Sequence, residues 1–135
     1  MDVLATTLRA AQLYAHAAHH GISGPTFLSD HEFLGEVYSA LEDAFDKVVE
    51  RSIALDEPMD LAKINVDAAS DASRFADPLT FSTAAVLAVV LAYERRICEE
   101  VDLVNAGATI GTQNLLAQIA DDSEMRQYKI SRRLK

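Results

Sequence analysis

The sequence has no tryptophan, a single cysteine, three prolines and five glycines among 135 residues. The lone Cys98 cannot form an internal disulfide, which fits a reducing cytoplasm. The longest apolar run, Ala84 to Ala92, falls short of the roughly 20 residues that a bilayer span requires, and no signal-peptide pattern is visible. Scarce glycine and proline, with abundant alanine and leucine, favour helix.

Positive charge is also scarce, and the formal net charge is −9. A negative surface repels nucleic-acid and membrane phosphate and attracts cations. The exception is a basic cluster at the C-terminal end, formed by Lys129, Arg132, Arg133 and Lys135. A charge cluster at a chain end is usually just solvated, and DNA contact is the alternative. We expect weak DNA binding and no membrane association.

Apolar residues recur at helical spacing in four long segments, which predicts an all-α protein. The first helix is predicted over Asp2–His20, with Gly21 as its stop. The second is predicted over Asp30–Leu55. Its start carries the pattern of a capping box, in which Ser29 and Glu32 satisfy each other's backbone N–H groups.

The apolar spacing is less regular after the second helix. Between residues 56 and 77 we expect only a short helical turn at Asp60–Ile64. A third helix is predicted over Leu79–Asn105 and a fourth over Gly111–Arg133. The length suits one domain, residues 1–135. Four helices with one long connection, between the second and third, predict a ferritin-like four-helix bundle.

Four residues of metal-binding types lie along the first two helices: His19, His31, Asp46 and Glu50. Singly, each is more commonly a surface or structural residue. Asp46 and Glu50 are one helical turn apart and project from one face. The turn after the first helix allows His19 to approach His31.

The spacing along the second helix constrains any shared site. His31 and Asp46 are 15 residues apart, which is roughly 22 Å along a helix, whereas a metal–ligand bond is about 2 Å long. One chain therefore cannot place both on one metal. Two second helices packed antiparallel about a two-fold axis would create two identical sites, each shared by two copies.

This arrangement resembles the Dps proteins, also called mini-ferritins. The resemblance rests on the segment 19–32, HHGISGPTFLSDHE, on the segment 46–51, DKVVER, and more weakly on the segment 111–116, GTQNLL. In that family two histidines 12 residues apart are followed by Asp 15 residues on and Glu four beyond. His19, His31, Asp46 and Glu50 have the same spacing.

The resemblance implies a hollow homo-oligomer, a dodecamer, that oxidises Fe(II) and stores ferric mineral in its cavity, with hydrogen peroxide as the favoured oxidant. His19 and His31 of one subunit, with Asp46 and Glu50 of its partner, would form the ferroxidase site. Carboxylate and imidazole ligands suit iron. Glu32 and Glu36 would face the cavity and nucleate mineral.

Two positions depart from the family pattern. Gly35 stands where the family usually has Asp, which removes one carboxylate from the expected site. His20 stands where the family has Trp, and it offers either a spare ligand or, with His16, an unrelated metal pair. The alternative function is a catalytically weakened cage that protects DNA or binds metal structurally.

Overall fold

The computed structural model describes residues 1–135, which form five α-helices and no strands. This confirms the predicted all-α class. The helices are α1 (Asp2–Gly21), α2 (Phe27–Ala54), α3 (Leu61–Ala72), α4 (Thr83–Asn105) and α5 (Ile110–Arg133). None of the five combines the length and the hydropathy that a membrane crossing requires.

The helices pack around one hydrophobic core of 27 buried residues. Helix α1 is central, since it packs against α2, α3 and α4, whereas α5 packs mainly against α4 and less extensively against α2. Leu4, Leu8 and Ala15 of α1 are fully buried, as are Leu34 and Leu41 of α2. The spacing of these residues places them on one face of each helix, which accounts for the pairing of α1 with α2.

Helix α2 begins three residues before the predicted start. Ser29 therefore lies inside the helix, and the prediction that Ser29 and Glu32 form a capping box is wrong. Thr26 occupies the N-cap position, and the Ser29 hydroxyl donates to the Thr26 carbonyl at 3.1 Å. Gly24 takes a positive φ of 104° and turns the chain ahead of the helix, a conformation that glycine adopts without steric cost. At the other end the helix stops at Ala54, and Asp56 adopts a left-handed φ of 58°.

Helix α3 is longer than the predicted turn at Asp60–Ile64. Asp60 caps it by accepting from the backbone N–H of Lys63 at 3.0 Å. The buried residues are Ile64 and Ala68. With only these two of its twelve residues buried, the helix has a short apolar pattern, from which only a turn was predicted.

Helix α4 begins at Thr83, four residues after the predicted start at Leu79. Ser82 is the N-cap and accepts from the backbone N–H of Ala85 at 3.2 Å. The preceding segment is a turn in which the Asp77 carboxylate accepts from the backbone N–H of Leu79 at 2.9 Å. A local side-chain bond of this kind competes with helix formation.

Gly21 was predicted as the stop after α1, but it is the last residue of the helix. Its lack of a side chain allows a close backbone contact. A Cβ atom at Gly21 would lie 2.6 Å from the carbonyl oxygen of Pro78. The absence of a side chain therefore lets the segment before α4 cross the end of α1 at backbone contact distance.

A charged pair lies inside the bundle between α4 and α5. Glu94 is fully buried, and Arg126 donates to its two oxygens at 2.7 and 3.1 Å. Ser123 donates to the same carboxylate at 2.7 Å. A buried carboxylate is tolerated because these donors replace water.

Arg126→Met should lower the free energy of unfolding by about 3 kcal/mol or more, because it leaves the buried Glu94 without its counter-charge. Arg95→Met is the matched control, since Arg95 lies on the exposed side of the same helix pair, and it should change stability by less than about 0.5 kcal/mol. Chemical denaturation at one fixed protein concentration measures both values. Equal stabilities for the two variants would contradict a structural role for the pair.

Candidate metal centre

The end of α1 and the first turns of α2 bring two histidine rings into contact. The rings of His19 and His31 are stacked with their centroids 3.7 Å apart and an interplanar angle of 21°. His19 lies in the last turn of α1, and His31 is the fifth residue of α2. The short connection between the helices reverses the chain and places the two side chains side by side.

Two reciprocal hydrogen bonds fix both rings. Nδ1 of His19 lies 2.8 Å from the carbonyl oxygen of His31, and Nδ1 of His31 lies 2.7 Å from the carbonyl oxygen of His19. A carbonyl can only accept, so each Nδ1 carries the proton and donates. The carbonyl of His19 is one of the terminal groups of α1 that have no partner within the helix.

The consequence of these bonds is that both Nε2 atoms are available. Neither Nε2 has a hydrogen-bond partner, and neither is sealed from solvent. A metal-binding histidine usually donates its other ring N–H to a carbonyl or carboxylate, which fixes the tautomer and the ring orientation. His19 and His31 meet this condition through each other's backbone.

Aromatic side chains hold the pair from either side. Phe27 stacks on His31 with a centroid separation of 4.9 Å, and Tyr38 meets His19 edge-on at 5.3 Å. Both rings are partly buried. The imidazoles are therefore confined in orientation before any ligand binds.

Gly35 lies directly beneath the His19 ring. A Cβ atom at this position would lie 3.3 Å from Cε1 and 3.4 Å from Nδ1 of His19. The residue that replaces the expected carboxylate therefore provides the space into which the imidazole packs. A side chain here would displace the ring by a few tenths of an ångström.

The first turn of α2 is anchored by an ion pair next to His31. Arg133 of α5 donates to both oxygens of Asp30, at 3.0 and 2.9 Å, and to the Thr26 hydroxyl at 2.6 Å. The Asp30 side chain is only 7% exposed. Burial raises the pKa of Asp30, but the hydrogen bonds from Arg133 and Thr26 and the charge of Arg133 outweigh burial and lower it below its usual value.

The two carboxylates lie far from the histidines within one chain. Asp46 and Glu50 are exposed on α2, and neither forms a salt bridge. No three His, Cys, Asp or Glu side chains in the chain converge closely enough to hold a metal ion. One copy therefore presents a histidine pair and a free carboxylate pair at separate places on the same helix.

The interior of the bundle offers no free carboxylate pair as an alternative. Each of the three buried acids is paired with an arginine: Asp30 with Arg133, Glu94 with Arg126, and Glu100 with Arg96. Glu100 keeps one oxygen without a hydrogen-bond partner. Charge balance inside the bundle is thus supplied by arginine, and uncompensated carboxylates are found on the surface.

The other residues singled out in the sequence are at the surface. Glu32 and Glu36 are exposed on α2. Within the basic cluster, Lys129, Arg132 and Lys135 are exposed, whereas the guanidinium of Arg133 is engaged with Asp30 and Thr26. Only three of the four positive charges are free to contact an anionic partner.

Sequence reasoning missed the side chains that support the histidines. Phe27 lies four residues before His31, so it shares its helix face, but the predicted start at Asp30 excluded it from the helix. Arg133 was predicted only as a member of the basic cluster. Its pairing with Asp30 was not predicted, because Asp30 is 103 residues away in sequence. Spacing along one helix could have found Phe27, but no local signal could have found the Asp30–Arg133 pair.

The family model described as a ferritin-like domain matches residues 2–135. The chain therefore belongs to the ferritin-like family. No curated protein matches it at a significant level. Membership indicates a general function in iron storage or iron oxidation, and such proteins generally bind iron and typically form homo-oligomers.

The Asp30–Arg133 pair predicts a specific acid sensitivity. Because the pKa of Asp30 is lowered on folding, its contribution to stability is present above the ordinary aspartate pKa, about 4, and is lost as the pH falls through the folded value. Asp30→Asn should therefore lower the free energy of unfolding by about 2 kcal/mol at pH 7 and by less in acid. Denaturation curves at several pH values test this.

Asp43→Asn serves as the matched control, because Asp43 is exposed and its only ion pair, with Lys47, lies on the surface. Its effect should be small at every pH. An identical pH dependence of unfolding in Asp30→Asn and the unmodified chain would show that Asp30 has no part in the acid sensitivity.

Gly35→Ala should disturb the His19 ring without disrupting α2. The new methyl group crowds His19, which weakens the bond from its Nδ1 to the His31 carbonyl and reduces the population of the Nδ1–H tautomer. Nitrogen NMR of the imidazoles at alkaline pH reads that tautomer for each histidine. Gly107→Ala is the control, because a Cβ at Gly107 meets nothing within 4 Å; equal histidine spectra for the two variants would contradict the prediction.

Proposed function

We propose that this protein is a Dps-like mini-ferritin that oxidises Fe(II) at a site shared by two copies and stores the ferric product inside a hollow cage. Iron is the substrate and the cargo. The observation that carries the proposal is the reciprocal bonding of His19 and His31, which leaves the Nε2 atom of each of the two stacked rings without a hydrogen-bond partner. Asp46 and Glu50 of a second copy supply the remaining ligands.

The positions of the three site residues that lie on α2, His31, Asp46 and Glu50, support a shared site. At 100° per residue, His31, Asp46 and Glu50 lie within about 100° of one another around the helix axis, so they occupy one side of it. An antiparallel second copy of α2 would place each carboxylate pair opposite the partner's histidines. The midpoint of this arrangement falls near Ser39, a small exposed residue about 80° around the axis from His31, where it would permit close helix approach.

The charge of the ligand set also supports ferrous iron. Two neutral imidazoles and two carboxylates balance the charge of one Fe²⁺ ion, and hard or borderline ligands of these types suit iron. Asp46 and Glu50 have no competing salt bridge to break. In the overall reaction, one hydrogen peroxide takes one electron from each of two Fe²⁺ ions and, with two protons, gives two waters.

The assembly is part of the same proposal. We assign α1, α2, α4 and α5 to the four-helix bundle and residues 55–82 to the long connection, and we assign twelve copies to a cytoplasmic cage. The net charge of −9 per chain would draw cations to its surface. Glu32 and Glu36, exposed one helical turn apart, would nucleate mineral on the cavity side.

The second candidate function is a cage that binds metal with little oxidation, and Gly35 favours it. The expected carboxylate is missing, and the His19 ring occupies the adjacent space. DNA protection belongs to this alternative, and the engagement of Arg133 with Asp30 weakens the support for it.

Mixed assemblies test the shared site directly. His19→Ala/His31→Ala subunits keep the carboxylates, and Asp46→Ala/Glu50→Ala subunits keep the histidines. Each variant alone should oxidise Fe(II) no faster than buffer. Random co-assembly should restore about a quarter of the normal activity, because half of the dimers are mixed and each mixed dimer holds one complete site. Anaerobic Fe(II) loading followed by hydrogen peroxide measures the rate.

Glu32→Ala/Glu36→Ala is the matched control, since these acids have the same spacing on the same helix as Asp46 and Glu50. It should leave the first turnovers of oxidation intact and slow only the growth of the mineral core. Native mass measurements establish that mixed assemblies have formed. Absence of any restored oxidation in confirmed mixed assemblies would rule out the shared site.

A further inference from the structure

Two further histidines, His16 and His20, lie on α1 beside the candidate metal centre and have no part in it. They are four residues apart, and their ring centroids are separated by 5.0 Å with an interplanar angle of 41°. Residues at this spacing lie one above the other on a helix face. The same spacing places two histidines on one Zn²⁺ ion in helical zinc motifs.

The ring separation already suits a chelate. A metal ion about 2 Å from one nitrogen of each ring, at a near-tetrahedral angle, would hold the two ring centres about 5 Å apart. The observed 5.0 Å therefore requires little movement of either side chain beyond rotation of the rings.

The ring nitrogens are free to bind. Neither imidazole makes a hydrogen bond, and no nitrogen of the partly buried His16 is sealed from solvent. Tyr38 stacks on the His16 ring at a centroid distance of 4.2 Å and an angle of 27°. The stack covers one face of that ring and holds it in place, while its nitrogen-bearing edge remains open.

His19 does not complete this pair. Its ring lies 5.1 Å from that of His20, but the two are nearly perpendicular, at 73°, and they belong to consecutive residues, which do not share a helix face. Its Nδ1 is already bonded to His31. No third His, Cys, Asp or Glu side chain converges on His16 and His20.

We propose that His16 and His20 form a second, separate cation site that chelates a borderline divalent metal ion of the Zn²⁺, Ni²⁺ or Cu²⁺ class, with water completing the coordination. A set of imidazoles without a carboxylate binds these ions more tightly than Fe²⁺. The bound ion clamps the last two turns of α1. This site stands whether or not iron is oxidised at the shared centre.

Zn²⁺ titration of the assembled 135-residue chain tests the site. Calorimetry counts the bound ions, and nitrogen NMR of labelled histidine shows which rings bind. We expect the His16 and His20 ring signals to shift together. His20→Ala should remove one bound ion per chain or weaken it at least tenfold, since loss of a direct ligand should cost no less than the roughly 10–100-fold cost of losing an outer-shell partner.

Two variants keep the outcome unambiguous. His20 is exposed, so His20→Ala should keep the circular dichroism spectrum and metal-free thermal midpoint of the unmodified chain; His16→Ala tests the other ligand. Asp46→Ala/Glu50→Ala is the control and should retain this zinc ion. Unchanged zinc stoichiometry and affinity in both histidine variants, or zinc-induced shifts confined to His19 and His31, would overturn the proposal.

Discussion

The pair of hydrogen bonds between His19 and His31 is the interaction on which the candidate metal centre depends. It joins the end of α1 to the start of α2, satisfies a terminal carbonyl of α1 and fixes the tautomer of both rings. Most of the orientational entropy of the two rings is therefore lost during folding and would not oppose the proposed metal binding. The packing of Phe27 and Tyr38 and the absence of a side chain at Gly35 all serve this one arrangement.

A division of charge follows from the same architecture. Acids that enter the bundle are met by arginine, whereas Asp46 and Glu50 are left unpaired at the surface. A buried acid paired with arginine cannot take up a cation without breaking that pair, and breaking it is costly. The proposed cation chemistry would accordingly lie on the outside of the bundle, where a neighbouring copy could contribute ligands.

Much of the helical architecture could be predicted from the sequence, because periodicity and end signals are local properties. Helices α1 and α5 end or begin within one residue of their predicted limits. The predicted start of α4 was wrong because the Asp77 turn and the Ser82 cap delay the helix to Thr83. The predicted α3 was too short because only two of its twelve residues are buried. The local hydrophobic pattern carries no information about which hydrogen bonds and ion pairs form between helices that are distant in sequence.

The candidate centre shows the same limit. Spacing alone separated the histidines from the carboxylates and required a second copy for any shared site. It did not reveal that each histidine bonds to the backbone of the other, since a donor and its carbonyl have no sequence signature. The spacing also did not reveal that the lack of a side chain at Gly35 makes room for the His19 ring. Gly35 is therefore a packing requirement as well as a position that lacks the expected carboxylate.

The arginine pairing of the buried acids has one more consequence. Each iron oxidised at a shared site would add a unit of positive charge, and that charge would fall between two copies, because the interior of each chain is already electrically balanced. The oxidation state of the iron would then change the affinity between neighbouring copies. It would leave the folding stability of each copy unchanged. Iron oxidation would therefore be coupled to the association of copies, and neither would affect the folding of a single chain.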